Sequence, residues 1–125
     1  SHRTPVLTAI GNLVRVYSGL GVEEPKVKAG VGIVLEGRNE MKSNLYFLYY
    51  GVMLCFLAGG EAWTQWRDVM LPHLLSGQAD DGSWATQGAG PNHGYADYLS
   101  KTDATAMALL ALECSHRYVP KSMMK

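Results

Sequence analysis

Apolar side chains recur along this chain at helical spacing rather than in the alternation of a strand. Thr4-Pro5 offers an N-cap and a first helical residue, and Ile10, Leu13, Val14 and Tyr17 follow in helical phase until Gly19 and Gly21. This predicts a first helix. After Glu23-Glu24, whose charges suit a helix N-terminus, Pro25 opens a second, with Val27, Val31, Val34 and Leu35 on one face and Gly37 as its stop. Gly30 and Gly32 weaken it. Ser43-Asn44 can cap a third helix from about Leu45 to Ala58, apolar nearly all round and ended by Gly59-Gly60, which places it in the interior. A fourth begins at Glu61, where Trp63, Trp66, Met70 and Leu74 recur in phase above a polar face, and Pro72 should kink it or split it into two short pieces. Ala85 to Tyr98, with three glycines and a proline, predicts a loop. Met107, Leu110, Ala111 and Cys114 then mark a last helix from Thr105 to Tyr118, before Pro120.

The expectation is an all-α fold of about five helices in a single domain, residues 1–125. Nearly apolar helices alternate with mixed ones, and the alternation repeats. Residues 30–37 superpose on 70–77 at an offset of 40, and Thr8 on Val52 at an offset of 44. A period near 40 built from two helices signals antiparallel helical hairpins, each burying its face on the next. Two and a half hairpins fit in the chain.

Eleven basic and eleven acidic residues give a formal net charge of zero, so no field favours nucleic acid or an anionic membrane. The longest uncharged apolar stretch, Leu45 to Gly60, is interrupted by Gly51 and falls short of the roughly 20 residues a spanning helix needs, so no integral membrane segment is expected. The N-terminus carries no signal-peptide pattern. Cys55 and Cys114 lie far apart, each in an apolar helical pattern, which reads as buried free thiols and leans towards a reducing, cytoplasmic setting.

The most specific string runs Gln78-Ala-Asp-Asp-Gly-Ser-Trp84. A helix can end at Gln78 because Asp81-Gly82 supplies a turn with positive φ, after which Trp84 folds back over the helix end. Gln78 can then bond groups of that end while the indole stacks on its amide. This string resembles the QW motif of squalene-hopene cyclases. The segments Tyr49-Tyr50-Gly51 through Gly59-Gly60-Glu61-Ala62-Trp63, and Thr105 through Glu113, are similar to the repeats that flank the motif there and in prenyltransferase-like proteins. The resemblance implies an α/α toroid, with the first, third and fifth helices lining the centre and the second and fourth outside. A complete toroid has more hairpins than this chain supplies, so either the chain is a piece of a larger protein or another copy covers its open edges. A homodimer or higher oligomer is favoured, because an open helical stack leaves an apolar patch exposed.

Class II terpene cyclases of this type carry Asp-x-Asp-Asp-Thr-Ala at the start of an inner helix, where a buried, protonated aspartic acid acts as general acid. The matching segment here is Lys101-Thr102-Asp103-Ala104-Thr105-Ala106, which keeps only the middle aspartate and makes Asp103 the catalytic candidate. Such an acid must be held neutral and dry. The competing reading makes Asp103 part of a capping box with Ser100, its carboxylate favoured by the helix dipole. Asp80 and Asp81 read as turn residues.

Where related protein prenyltransferases have a zinc-binding histidine this chain has Ala104, and His93, Asp97 and His116 have no recognisable ligand spacing, so neither metal nor cofactor is implied. The thioester-forming Cys-Gly-Glu-Gln of complement-like toroids is missing as well. Tyr46, Tyr50, Met53 and Leu57 share one face of the third helix, flanked by Phe47 and Phe56. They can line an apolar ligand pocket, steady a carbocation by cation–π attraction, or simply pack as core. Two functions therefore stand: a non-catalytic repeat module that binds a protein or an apolar small molecule, or part of a cyclase-like enzyme acting on an isoprenoid through Asp103. The missing aspartates favour the first.

Overall fold

In the computed structural model, residues 4–85 and 101–117 are described, with side chains as far as Cys114 in the final helix. They form five α-helices and one short 3-10 turn, with no strand. Helix α1 spans Pro5–Tyr17, α2 Pro25–Glu36, α3 Leu45–Ala58, α4 Gly60–Gly77 and α5 Lys101–Arg117. The expected loop from Ala85 to Tyr98 lies, beyond Ala85, outside the described residues.

Local chemistry explains most of these boundaries. Pro5 and Pro25 each open a helix at the position where their missing N–H costs nothing. The Thr4 side chain makes no capping bond; instead the Thr8 hydroxyl donates to the Thr4 carbonyl at 3.2 Å. Asn44 caps α3 as expected, its Oδ1 accepting from the Phe47 amide at 3.1 Å. A single residue, Gly59, separates α3 from α4, and its φ of 72° lies in the left-handed region that permits so tight a reversal.

Two expectations are corrected, and one element is added. Pro72 does not split α4 into two short pieces: α4 is one continuous helix from Gly60 to Gly77. Trp66 and Met70 before the proline and Leu74 after it are all buried, so packing on both sides keeps the helix continuous, while Pro72 itself is exposed. A 3-10 turn, Arg38–Lys42, follows α2 where the pattern showed nothing. It is pinned by the Arg38 guanidinium donating to the Leu35 carbonyl at 2.7 Å and by fully buried Met41. Helix α5 begins at Lys101, earlier than Thr105, which leaves the expected cap Ser100 outside the described residues.

Helix α3 is the centre of the molecule. It packs against α1, α5 and α4, and more lightly against α2. Since α1 and α5 both pack on α3 without extensive contact with each other, α3 lies between them, and α2 bridges α1, α3 and α4. Burial of Phe47, Leu48, Val52, Leu54 and Cys55 agrees with a helix that is apolar all round. Across the α3–α4 seam Trp66 meets Phe47 edge-on at 5.1 Å, and Trp63 meets Phe56 at 5.3 Å. Gly51 makes room for this: a Cβ there would lie 2.1 Å from the Trp66 ring. Gly30 does the same between α1 and α2, where a Cβ would strike the Asn12 amide.

Candidate functional site

The Gln78–Trp84 segment is a closed turn at the end of α4. Gln78 and Trp84 face each other as an antiparallel bridge, the Ala79 amide donates to the Ser83 carbonyl at 2.7 Å, and Gly82 takes a φ of 87°. The Gln78 amide donates back to the Gly82 carbonyl at 2.9 Å, so it closes the turn rather than bonding the helix end. The helix end is served by Trp84, whose buried indole N–H donates to the Leu74 carbonyl at 2.8 Å. That carbonyl is among the last four of the helix, which have no partner within it.

Asp81 locks the other side of the turn. Its Oδ1 accepts from the Ser83 amide at 3.0 Å and from the Ser83 hydroxyl at 2.5 Å, and its Oδ2 from the Lys101 ammonium at 3.0 Å. These bonds, with Ser83 contributing most, hold its carboxyl well below the usual carboxylate range. The Trp84 amide also donates to the Thr105 hydroxyl at 3.0 Å, and that hydroxyl donates to the Lys101 carbonyl at 2.8 Å. The turn therefore ties the end of α4 to the start of α5. Lys101 and Thr105 are the residues that the sequence reading passed over here; the periodic pattern gave no signal for a contact across some twenty residues.

Asp103 is exposed in the first turn of α5. Tyr46, Tyr50, Met53 and Leu57 are half-buried and packed against the core cluster, with Tyr50 also edge-on to Tyr49 at 5.5 Å. None of the four lines the groove between α1 and α2 or the one between α4 and α5. Cys55 and Cys114 are free and buried, and burial pushes the Cys55 thiol up to about 12 and raises that of Cys114. Among the described residues no three His, Cys, Asp or Glu side chains gather as a metal site, and no helix is long and apolar enough to cross a membrane. His93, Asp97 and the side chain of His116 lie outside the described residues.

What the periodicity did not reveal is the surface of α1. Val14 and Tyr17, expected on the same buried face as Leu13, are 59% and 66% exposed, and Leu7 is 66% exposed. Only Ala9, Asn12 and Leu13 of this helix are buried. Leu110 of α5, also expected inside, is 41% exposed beside Leu109 at 46%. The reason is positional: α1 packs against α2 and α3, and α5 mainly against α3, and the sides turned away from these neighbours meet no further helix among the described residues. Between α1 and α2 runs an open groove of about 680 Å³ whose lining includes Leu7, Gly11, Ala29 and Ile33, with Arg15 and Lys26 as its charged residues. Asn12, the buried polar side chain of this region, donates to the Thr8 carbonyl at 2.8 Å and accepts from the Arg15 guanidinium at 3.3 Å, which fixes the arginine at the groove's edge.

No family model, curated protein sequence or solved structure matches the chain.

Proposed function

We propose that this chain is a non-catalytic helical-repeat module, built from repeats like those of terpenoid cyclases and prenyltransferases, which works by binding a protein partner or by assembling through the open ends of its stack. The observation that carries this reading is the apolar stripe left bare on α1, with Leu7, Val14 and Tyr17 each more than half exposed. Several such residues together on one face of a small domain are characteristic of an interaction surface. The surroundings of Asp103 add support. A general acid for an alkene must be kept protonated and away from water, whereas Asp103 sits exposed in a helix's first turn.

The Gln78–Trp84 turn serves this module as a joint between successive hairpins. Its bonds to Leu74 and Thr105 and through Lys101 are consumed in holding two helices together, leaving the motif structural. Incubation with squalene, and separately with an isoprenyl diphosphate, followed by product analysis is expected to give no turnover. Turnover that disappears in an Asp103→Asn variant would overturn the proposal in favour of a cyclase-like enzyme. Size-exclusion chromatography is expected to show a species larger than one chain, and a stable monomer at every loading concentration would count against assembly.

A further inference from the structure

We infer that the groove between α1 and α2 is the seat of an amphipathic helix from a protein partner, apolar along one face and acidic at one end; this rests on the partner-binding reading above. The groove is polarised along its length. Gly30 lies against Asn12 and Gly37 against Pro5, so the two helices run antiparallel, and Lys26 at the start of α2 comes level with Arg15 near the end of α1. These two cations stand at one end of the groove, while Leu7 and Ile33 lie towards the other. Among the described residues no acidic side chain lines it.

The walls of the groove are low. Thr8 and Gly11 on α1 and Ala29 on α2 are small, and a Cβ at Gly11 would meet nothing within 4 Å. Buried Asn12 fills the space beside Gly30 and closes the floor. From Thr4 to Arg15 the trough runs about 16 Å, or about three helical turns. Its form selects among occupants. An extended peptide needs a row of open backbone groups, and both walls are helices whose backbone bonds are spent internally. A small ligand needs a pocket that closes over most of its surface, and this groove is open. A helix brings its own backbone bonds and buries one face only, so an open trough between two helices suits it.

Charge fixes the chemistry of that helix. Neither Arg15 nor Lys26 has a carboxylate partner among the described residues. Glu23, in the loop between α1 and α2, is engaged by Lys28 at 2.7 Å, and Glu24 lies outside the groove's lining. The Arg15 guanidinium donates to the Asn12 side chain at 3.3 Å, and Asn12 in turn donates to the Thr8 carbonyl at 2.8 Å. A neutral, buried acceptor thus holds the arginine in place without neutralising it, and most of its N–H donors stay available. The complementary helix carries apolar residues at i, i+4 and i+7 facing Leu7, Gly11 and Ile33, then Glu or Asp one turn further on, where a carboxylate meets both cations.

Fluorescence anisotropy with two designed probes tests this. Both are Ala-based helical peptides of about 18 residues with leucines at i, i+4 and i+7; one carries a Glu pair in the following turn and the other a Lys pair there. The wild-type chain is expected to bind the Glu peptide at least about tenfold tighter than the Lys peptide, with the difference shrinking in added salt. Arg15→Glu combined with Lys26→Glu is expected to reverse the preference. Gly11→Leu, which fills the trough without touching its own chain, is expected to weaken binding of the Glu peptide at least about tenfold, with helical circular dichroism unchanged. Binding that survives Gly11→Leu, or a preference that the double charge variant leaves unchanged, would overturn the choice of groove. Concentration-dependent mass in sedimentation velocity that Gly11→Leu abolishes would assign the groove to a second copy and overturn the partner helix. A wild-type chain that binds neither peptide overturns this inference alone, since the proposed function falls separately, by turnover of squalene or an isoprenyl diphosphate that Asp103→Asn abolishes.

Discussion

The Asp81 carboxylate, although exposed, accepts from the Ser83 amide, the Ser83 hydroxyl and the Lys101 ammonium, and all three bonds favour its charged form. A folded-state pKa below the unfolded one contributes stability that is complete above the ordinary carboxylate value, about 3.9, and is lost as pH falls towards the lowered value. Asp81→Asn is therefore expected to lower the melting temperature at neutral pH, with the gap from wild type narrowing below about pH 4; a pH-independent gap would contradict this account. Trp84→Phe keeps the buried ring but removes the donor to Leu74, and is expected to cost about 1–3 kcal/mol in urea unfolding. Burial of Cys55 works in the opposite pH range, because the unfolded thiol ionises near about 8.5 while the folded one resists up to about 12. Stability should thus decline as pH rises above the unfolded value. At pH 8 iodoacetamide should label Cys55 more slowly than Cys114 in the native chain, and both far faster in urea.

Element boundaries were legible wherever a residue acts within its own turn. Pro5, Pro25, Asn44 and the Gly59-Gly60 pair marked α1 to α4 because prolines, caps and positive-φ glycines work locally. Legibility ended where packing overrides local preference. Pro72 reads as a helix breaker, yet the buried faces of Met70 and Leu74 keep α4 whole, and the 3-10 turn after Gly37 owes its shape to buried Met41. Glycines inside helices read alike in sequence but differ in what lies opposite. Gly51→Ala would press a methyl into the Trp66 ring, an overpacking cost of about 1–3 kcal/mol that outweighs its helix-propensity gain, so a lower melting temperature is expected, partly recovered by Trp66→Phe. Gly32→Ala, with nothing within 4 Å, is expected to raise stability by about 0.5–1 kcal/mol. Equal effects at the two positions would show that the α3–α4 seam is looser than its geometry implies.

At the scale of the whole molecule, α3 couples the others because every other helix packs on it. Leu48, fully buried on α3, is the position to probe that coupling. Leu48→Ala is expected to cost about 2–5 kcal/mol and to leave a single unfolding transition that coincides by far-UV circular dichroism and tryptophan fluorescence. Separate transitions would mean that the hairpins fold independently. The same centrality explains the two bare faces. Helix α1 packs against α2 and α3, and the side turned away from both presents Leu7 and Val14 to water.

The sequence by itself determined the helical class, the phase of α2, α3 and α4, the cap at Asn44 and the turn at Asp81-Gly82, since each follows from spacing or from one residue's own backbone and side chain. It did not determine which apolar residues of α1 and α5 are inside, whether Asp103 is covered, or that Lys101 and Thr105 close the Gln78–Trp84 turn. Those depend on which helix lies next to which. Periodicity gives a helix an apolar face but not a neighbour, and only the tertiary arrangement, with α3 between α1 and α5, decided which apolar positions met a partner and which stayed open.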